Sequence, residues 1–200
     1  MLLNRIEKAL MNNPIRSALQ RHLEAPQLLR MGGRVPGARV LEVGCGRGVG
    51  TELILEHFGA ERVDAFDLDP DMVALARRRL ARFGEAVSVS EGDVCDIRAE
   101  DAHYDAAFDF GIIHHVPNWR AALAEIHRVL KPGGRFYAEE IFERALAHPA
   151  MRWLLEHPRD DRFDLGSFCG ALEKCGFAVR AQRGVWGIGG FFVAVKSEES

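Results

Sequence analysis

Val40-Leu41-Glu42-Val43-Gly44-Cys45-Gly46-Arg47-Gly48 is an apolar run that carries one carboxylate and ends in three glycines at alternate positions. Glycine takes positive φ and lets backbone amides come close to a ligand. The following residues, 49–58, read as a helix, so the unit is strand, tight turn, helix, which is the outline of a cleft at the carboxyl end of a parallel strand. The dinucleotide fingerprint G-x-G-x-x-G requires a third glycine where the helix packs on the strand. That position is Val49 counted from Gly44 and Thr51 counted from Gly46, so neither register fits. Glu42, two residues before the first glycine, would repel a pyrophosphate and suits a ligand with a positive charge, such as an amino group or a sulfonium. A nicotinamide-dependent oxidoreductase is therefore the disfavoured reading.

Outward from this turn, four segments follow in order. Glu42 to Gly48 resembles the first motif of the class I S-adenosylmethionine-dependent methyltransferases. Phe66-Asp67-Leu68-Asp69-Pro70-Asp71-Met72 resembles the end of that family's second strand, and Glu91-Gly92-Asp93-Val94 the loop after its third. Tyr104-Asp105 through His114-His115-Val116, with Glu125 to Gly134 behind it, resembles the fourth strand and its helix in the small-molecule and quinone-modifying branch. The resemblance runs from Val35 to Ile141 and more loosely beyond. It implies an α/β fold, a Rossmann-like three-layer sandwich whose seven-stranded, mostly parallel sheet takes one antiparallel strand. It implies S-adenosyl-L-methionine as cofactor, with Glu42, Gly44, Cys45, Gly46 and Gly48 at its methionine part. Asp67 would hold the ribose hydroxyls, with Asp69 as second choice. Leu68 and Ile97 would flank the adenine, and Asp93 with Val94 would meet its amino group. Asp109, at the end of the fourth strand, joins the cofactor set. A cofactor-binding module without turnover is the alternative to an enzyme.

Two hundred residues suit one domain with a single core. No apolar run approaches the roughly 20 residues that span a bilayer, and the first residues lack a signal-peptide pattern, so a cytoplasmic protein is expected. Cys45, Cys95, Cys169 and Cys175 show no metal-ligand or disulfide spacing, and no metal is expected. Residues 1–39 hold seven basic side chains against two acidic ones in a chain of formal net charge −3, so a basic arm precedes an acidic body. Such an arm either faces an anionic surface, giving peripheral membrane contact, or pairs with the body itself. The run Arg77-Arg78-Arg79 reads as a solvated helix face, and no basic-aromatic interleaving suggests nucleic acid.

Residues 1–34 read as a helical arm, 35–196 as the methyltransferase-like domain and 197–200 as a tail. Leu2, Leu3, Ile6 and Leu10 keep helical spacing; Asn13-Pro14 starts a second helix with Ile15, Ala18, Leu19 and Leu23 on one stripe. The arm either covers the cleft or lies on a membrane. Strands are expected at 39–43, 62–67, 86–91, 104–110, 135–141, 177–182 and 190–196, and helices at 49–58, 70–83, 119–130 and 164–174. Residues 142–162, with Trp153 and the pairs His148-Pro149 and His157-Pro158, are expected to build the acceptor pocket with the arm, and 184–190 to form its lip.

A small-molecule or lipid-like acceptor is expected. Methyl transfer from a sulfonium needs a base only when the nucleophile arrives protonated. Candidates at the ends of the fourth and fifth strands are Asp109, His114, His115, Tyr137, Glu139 and Glu140, with His114 and His115 placed first because an imidazole titrates near neutrality. Alternation along a strand sends Glu139 and Glu140 to opposite faces, where a buried carboxylate needs a partner: the arm, the acceptor, or an arginine such as Arg144.

Overall fold

The computed structural model describes residues 13–143 and 161–197. The expected first helix, Arg144, Trp153, the two His-Pro pairs and the end of the tail lie outside the described residues. The arm enters as α1 (Pro14–Leu19), a π-helical turn (Gln20–Glu24) and α2 (Ala25–Gly32). Asn13 caps its start by accepting from the Arg16 N–H at 2.8 Å.

Alternation then begins. β1 (Arg39–Val43) leads through the glycine turn to α3 (Val49–Leu53), which continues as a π turn (Ile54–Phe58). β2 (Arg62–Asp67) and α4 (Pro70–Leu80) come next, then a 3-10 segment (Ala81–Ala86) and β3 (Val87–Glu91). β4 (Tyr104–Phe110), a 3-10 turn (Ile113–His115), α5 (Trp119–Val129) and β5 (Leu130–Ile141) complete the parallel part. α6 (Leu165–Lys174), β6 (Phe177–Val185) and β7 (Gly189–Lys196) close the chain's described portion.

The seven strands form one sheet in the order β3-β2-β1-β4-β5-β7-β6, and β7 lies antiparallel between β5 and β6. The order reverses between β1 and β4, the switch point where such sheets bind ligands. Each face carries a separate apolar cluster. α5 seals one with Trp119, Ala122, Leu123, Ile126 and Val129, a helical stripe packed against Leu41, Ala107 and Phe136. Phe58, Phe108 and Tyr137 centre the other, which also takes Ala25 and Leu28 of the arm.

Two strands run several residues past their sequence-based bounds, and β7 starts one residue early. β5 starts at Leu130 because Leu130 pairs with Tyr104 before an irregularity restores the register at Ala106–Arg135. β6 runs to Val185 because Gly184 and Val185 pair with Gly190 and Gly189. The expected lip is thus the end of a paired hairpin, whose tip holds Trp186 at φ +48° and 86% exposed.

Over α1 and the π-helical turn the arm's polarity is the reverse of an ordinary surface helix. Ile15, Leu19 and Leu23 face solvent, while Gln20 is buried and Arg16 and Arg21 turn inward. Arg21 meets Glu52 and Glu56 on α3 and its π turn, and Glu52 also takes Arg79 at 2.8 Å and Arg82 at 2.7 Å. These ion pairs fix the arm's rotation: a charged side chain with a partly buried acidic partner outcompetes the apolar stripe for the inner face. Of the arginine run, Arg77 holds the Val89 carbonyl and Arg79 holds Glu52, so that face is partly committed.

Candidate active site

The glycine turn is built by steric demand at two positions and by openness at the third. Gly44, Gly46 and Gly48 have φ of +65°, +51° and +81°. A Cβ at Gly44 would lie 2.6 Å from Ile112 Cγ2, and one at Gly48 would lie 2.8 Å from Leu80 Cδ1. At Gly46 a Cβ would meet nothing within 4 Å, so that side of the turn is open. The Gly46 N–H donates to Asp67 Oδ2 at 2.8 Å and the Asp69 N–H to Asp67 Oδ1 at 2.9 Å, so one carboxylate ties the turn to the end of β2. Burial holds the Asp67 pKa above its ordinary value although these amides pull the other way.

A cleft of about 350 Å³ opens beside this tie. Of the residues expected at the cofactor, Gly44, Asp67, Leu68, Asp93 and Val94 line it, and Leu68 is 45% exposed at its rim. His115 lines it too, from the turn after β4. Ile97 does not; it packs in the core under α5, and its N–H donates to Glu125 at 2.9 Å. Asp69 is spent as the cap of α4, accepting from the Asp71 N–H at 3.0 Å. Ile112, Pro117 and Asn118 are wall residues that sequence reasoning passed over. Asn118 carried a legible signal, since it precedes the helical stripe of α5 and caps it.

Glu42, Cys45 and Asp109 lie behind the cleft. Glu42 accepts from the Thr51 hydroxyl, and a Cβ at Gly50 would collide with its other oxygen. Burial pushes the Glu42 pKa up to about 8, against the Thr51 hydrogen bond and with help from Asp67 and Asp109. Cys45 is packed in the core, its N–H on the Phe66 carbonyl at 2.9 Å, and its thiol pKa is raised by burial. Asp109 Oδ1 accepts from the Ile112 N–H at 2.8 Å. Its Oδ2 meets no N–H donor among the described residues and lies toward Glu140; burial and that neighbour hold its pKa well above the carboxylate range.

Strand alternation separates Glu139 from Glu140 as expected. Glu140 takes the Ile113 N–H at 2.8 Å and the His114 Nδ1 at 2.6 Å, clasping the 3-10 turn from which His115 reaches the cleft. Burial pushes the Glu140 pKa up to about 7 and the His114 pKa down to about 4. His114 has 3% of its side chain exposed and lies against His115 with ring centres 4.1 Å apart and planes tilted by 38°. Glu139 faces the opposite layer and meets Arg16 of the arm at 3.4 Å; Arg16 also pairs with Glu24 and reaches the Phe110 carbonyl at 3.4 Å. Tyr137 donates to the Gly32 carbonyl at 2.8 Å, holding the end of α2. Among the described residues no three His, Cys, Asp or Glu side chains are placed to hold a metal ion.

Comparison with known proteins agrees with this geometry. Residues 40–134 match the family model described as a methyltransferase domain. A fatty-acid O-methyltransferase of Mycolicibacterium smegmatis is 34% identical over 60% of this chain and 46% of its own length. A ubiquinone biosynthesis O-methyltransferase of Xanthomonas axonopodis is 38% identical over 50% of this chain and 42% of its own. The chain spans about half the length of the curated relatives it matches. A crystal structure of an S-adenosylmethionine-dependent methyltransferase from Mesorhizobium loti superposes with a TM-score of 0.72 at 22% identity, covering 85% of this chain and 96% of that one, a likeness of fold. With its glycine turn, the second-strand acid tied to it and the family match over residues 40–134, the chain carries a methyltransferase domain of the class I S-adenosylmethionine-dependent type.

Proposed function

We propose that the protein transfers the methyl group of S-adenosylmethionine to a small or lipid-like acceptor. The observation that carries this reading is the cleft itself: an acid at the end of β2 bonded to a glycine turn whose Gly46 side is open for a ligand. The residues fit the cofactor's charge as well as its shape. Glu42, Asp67 and Asp109 are carboxylates with raised pKa values behind or beside the turn, an environment that a sulfonium and an ammonium would neutralise.

In this reading Asp67 takes the ribose hydroxyls, and Leu68 and Val94 flank the adenine with Asp93 at its edge. The Gly44–Gly48 turn holds the methionine part, with Glu42, Cys45 and Asp109 shaping it from beneath. His115 is a wall of the cleft, and His114 holds that wall through Glu140. When bound, the cofactor supplies a methyl group on a cationic sulfur that departs as a neutral thioether. The chain's task is then positioning, which contributes up to ~7–11 kcal/mol in well-oriented systems. Arg16 and Arg21 pair inward and are not offered to a membrane, whereas Ile15, Leu19, Leu23, Arg30 and Arg34 are exposed on the arm.

The test is incubation with methyl-labelled S-adenosylmethionine and host extract, separated into organic-soluble and aqueous fractions. Label in a discrete product supports the enzyme, and the fraction assigns the acceptor's polarity. Tight cofactor binding with no labelled product in either fraction would replace this reading with that of a binding module.

A further inference from the structure

We propose that Glu139, paired with Glu24 across Arg16, is the base that takes the proton of a hydroxyl-bearing acceptor, and that this end of the sheet selects hydroxyl acceptors over carboxylates. The proposal rests on the methyl-transfer reading and adds to it a catalytic residue and a substrate class.

The topology gives the direction of approach. The cleft uses the ends of β1, β2 and β3, through Gly44, Asp67 and Asp93. An acceptor for a methyl group carried by a ligand seated there would approach from the other side of the switch point, at the ends of β4 and β5. Strands are spaced about 4.8 Å apart, so β5 ends roughly 10 Å from β1, within the length of one small acceptor. Glu139 lies there, in register with Phe110, the last residue of β4.

The candidate bases at this end sort by what they touch. Tyr137 is bonded to the carbonyls of Gly32 and Gly33. Glu140 holds two backbone N–H groups and His114, with none of its side chain exposed. Asp109 is fully buried and holds the Ile112 N–H, and His114 is buried on Glu140. His115 belongs to the cofactor wall. Glu139 differs: 15% of its side chain is exposed, beside Arg16 at 19% and Glu24 at 12%. Its contact with Arg16 is long, at 3.4 Å, as is the one from Arg16 to the Phe110 carbonyl. An acceptor hydroxyl inserted there would donate to Glu139 and accept from Arg16.

The charged and titratable groups acting on Glu139 are Arg16 and Glu24 from the arm and Asp109 from β4, while Glu140, its neighbour on β5, points to the opposite face and feels Glu139 only through space. Glu24 and Glu139 share the one guanidinium of Arg16, so an anionic acceptor would have to displace a carboxylate to reach it. Burial and Glu24 raise the Glu139 pKa well above the ordinary range while Arg16 lowers it, and a carboxylate more basic than usual is better matched to taking a hydroxyl proton. In the step, the acceptor O–H bond breaks and its proton passes to a Glu139 oxygen. The acceptor oxygen forms its bond to the methyl carbon, and the electrons of the breaking sulfur–carbon bond stay on sulfur.

The test uses 4-propylphenol and 4-propylbenzoate, which share a frame and differ at the acceptor group. With S-adenosylhomocysteine present, calorimetry on the full chain should show the phenol binding at least about tenfold more tightly than the benzoate, and Glu139→Gln should narrow that gap. Glu139→Gln should lower labelled transfer to the phenol about 100-fold, with cofactor affinity within twofold of wild type. The rising limb of the pH–rate profile should vanish in Glu139→Gln and move to higher pH in Arg16→Met, since the guanidinium holds the Glu139 pKa down. A residue that merely latches the arm would give both variants the same loss with the limb unmoved, and that result overturns the proposal. Equal binding of the two probes, or no binding of the phenol at millimolar concentration, also overturns it. If the phenol preference depends on Glu139 but no methyl is ever transferred, the transfer reading fails and acceptor recognition at Glu139 stands.

Discussion

Asp67→Asn puts the centre of the cleft to a quantitative test. The two oxygens of Asp67 accept the N–H groups of Gly46 and Asp69, at 2.8 and 2.9 Å. An amide has the same shape but turns one acceptor into a donor, so one of those N–H groups must face another donor. The loss is one hydrogen bond to a charged group, about 1.5–3 kcal/mol. For a chain of this size each kcal/mol moves Tm by about 2–4 °C, so thermal unfolding of the ligand-free variant should fall by about 3–12 °C. If the same carboxylate takes the ribose hydroxyls, affinity for S-adenosylmethionine drops by at least one such bond, about 10–150-fold in Kd. Calorimetric titration and thermal scanning on the same samples separate the two effects. A lowered Tm with cofactor Kd within twofold of wild type would refute the ribose role and leave Asp67 as a lock on the glycine turn. Both values unchanged would refute the whole account of the tie.

Glu42, with its pKa raised to about 8, is mostly protonated at pH 7 and should release its proton when a cationic cofactor binds nearby; calorimetry in phosphate and in Tris should give different enthalpies, and Glu42→Gln should abolish the difference. In the ligand-free protein the sign is that of a raised acid: its contribution is full below about 4.5 and is lost progressively as pH rises from there to about 8, so Glu42→Gln should flatten the fall in Tm between those values. Gly46→Val forces a β-branched residue to a φ of +51° and fills the open side of the turn, so cofactor binding should be lost by more than about 100-fold, read by calorimetry. Tyr137→Phe removes a hydroxyl that donates to the carbonyls of Gly32 and Gly33; it should cost about 1 kcal/mol and speed proteolytic cleavage between the arm and β1, with cofactor affinity unchanged.

The sequence by itself determined what short-range chemistry dictates. Three glycines at alternate positions after an apolar strand specify a turn with positive φ, and the spacing from that turn to Asp67 places an acid at the next strand's end. The stripe from Trp119 to Val129 specifies a helix and its buried face. Period-two alternation even predicted that Glu139 and Glu140 part company, because it is a property of one strand.

What only the tertiary structure decided is where separated side chains meet. Glu139 faces Arg16, 123 residues away in the chain, and Glu140 takes the His114 turn; no local pattern encodes either choice. The arm's apolar stripe was legible as a stripe, but its outward direction was not, since the ion pairs with Glu52, Glu56 and Glu139 that rotate it come from α3, its π turn and β5. Ile97 and Leu68 read alike as apolar residues after strands, yet packing under α5 withdrew one and left the other at the rim. Backbone conformation and periodicity are written within a few residues; electrostatic partnership and the walls of a cleft depend on which strands become neighbours, and that is settled only when the sheet assembles.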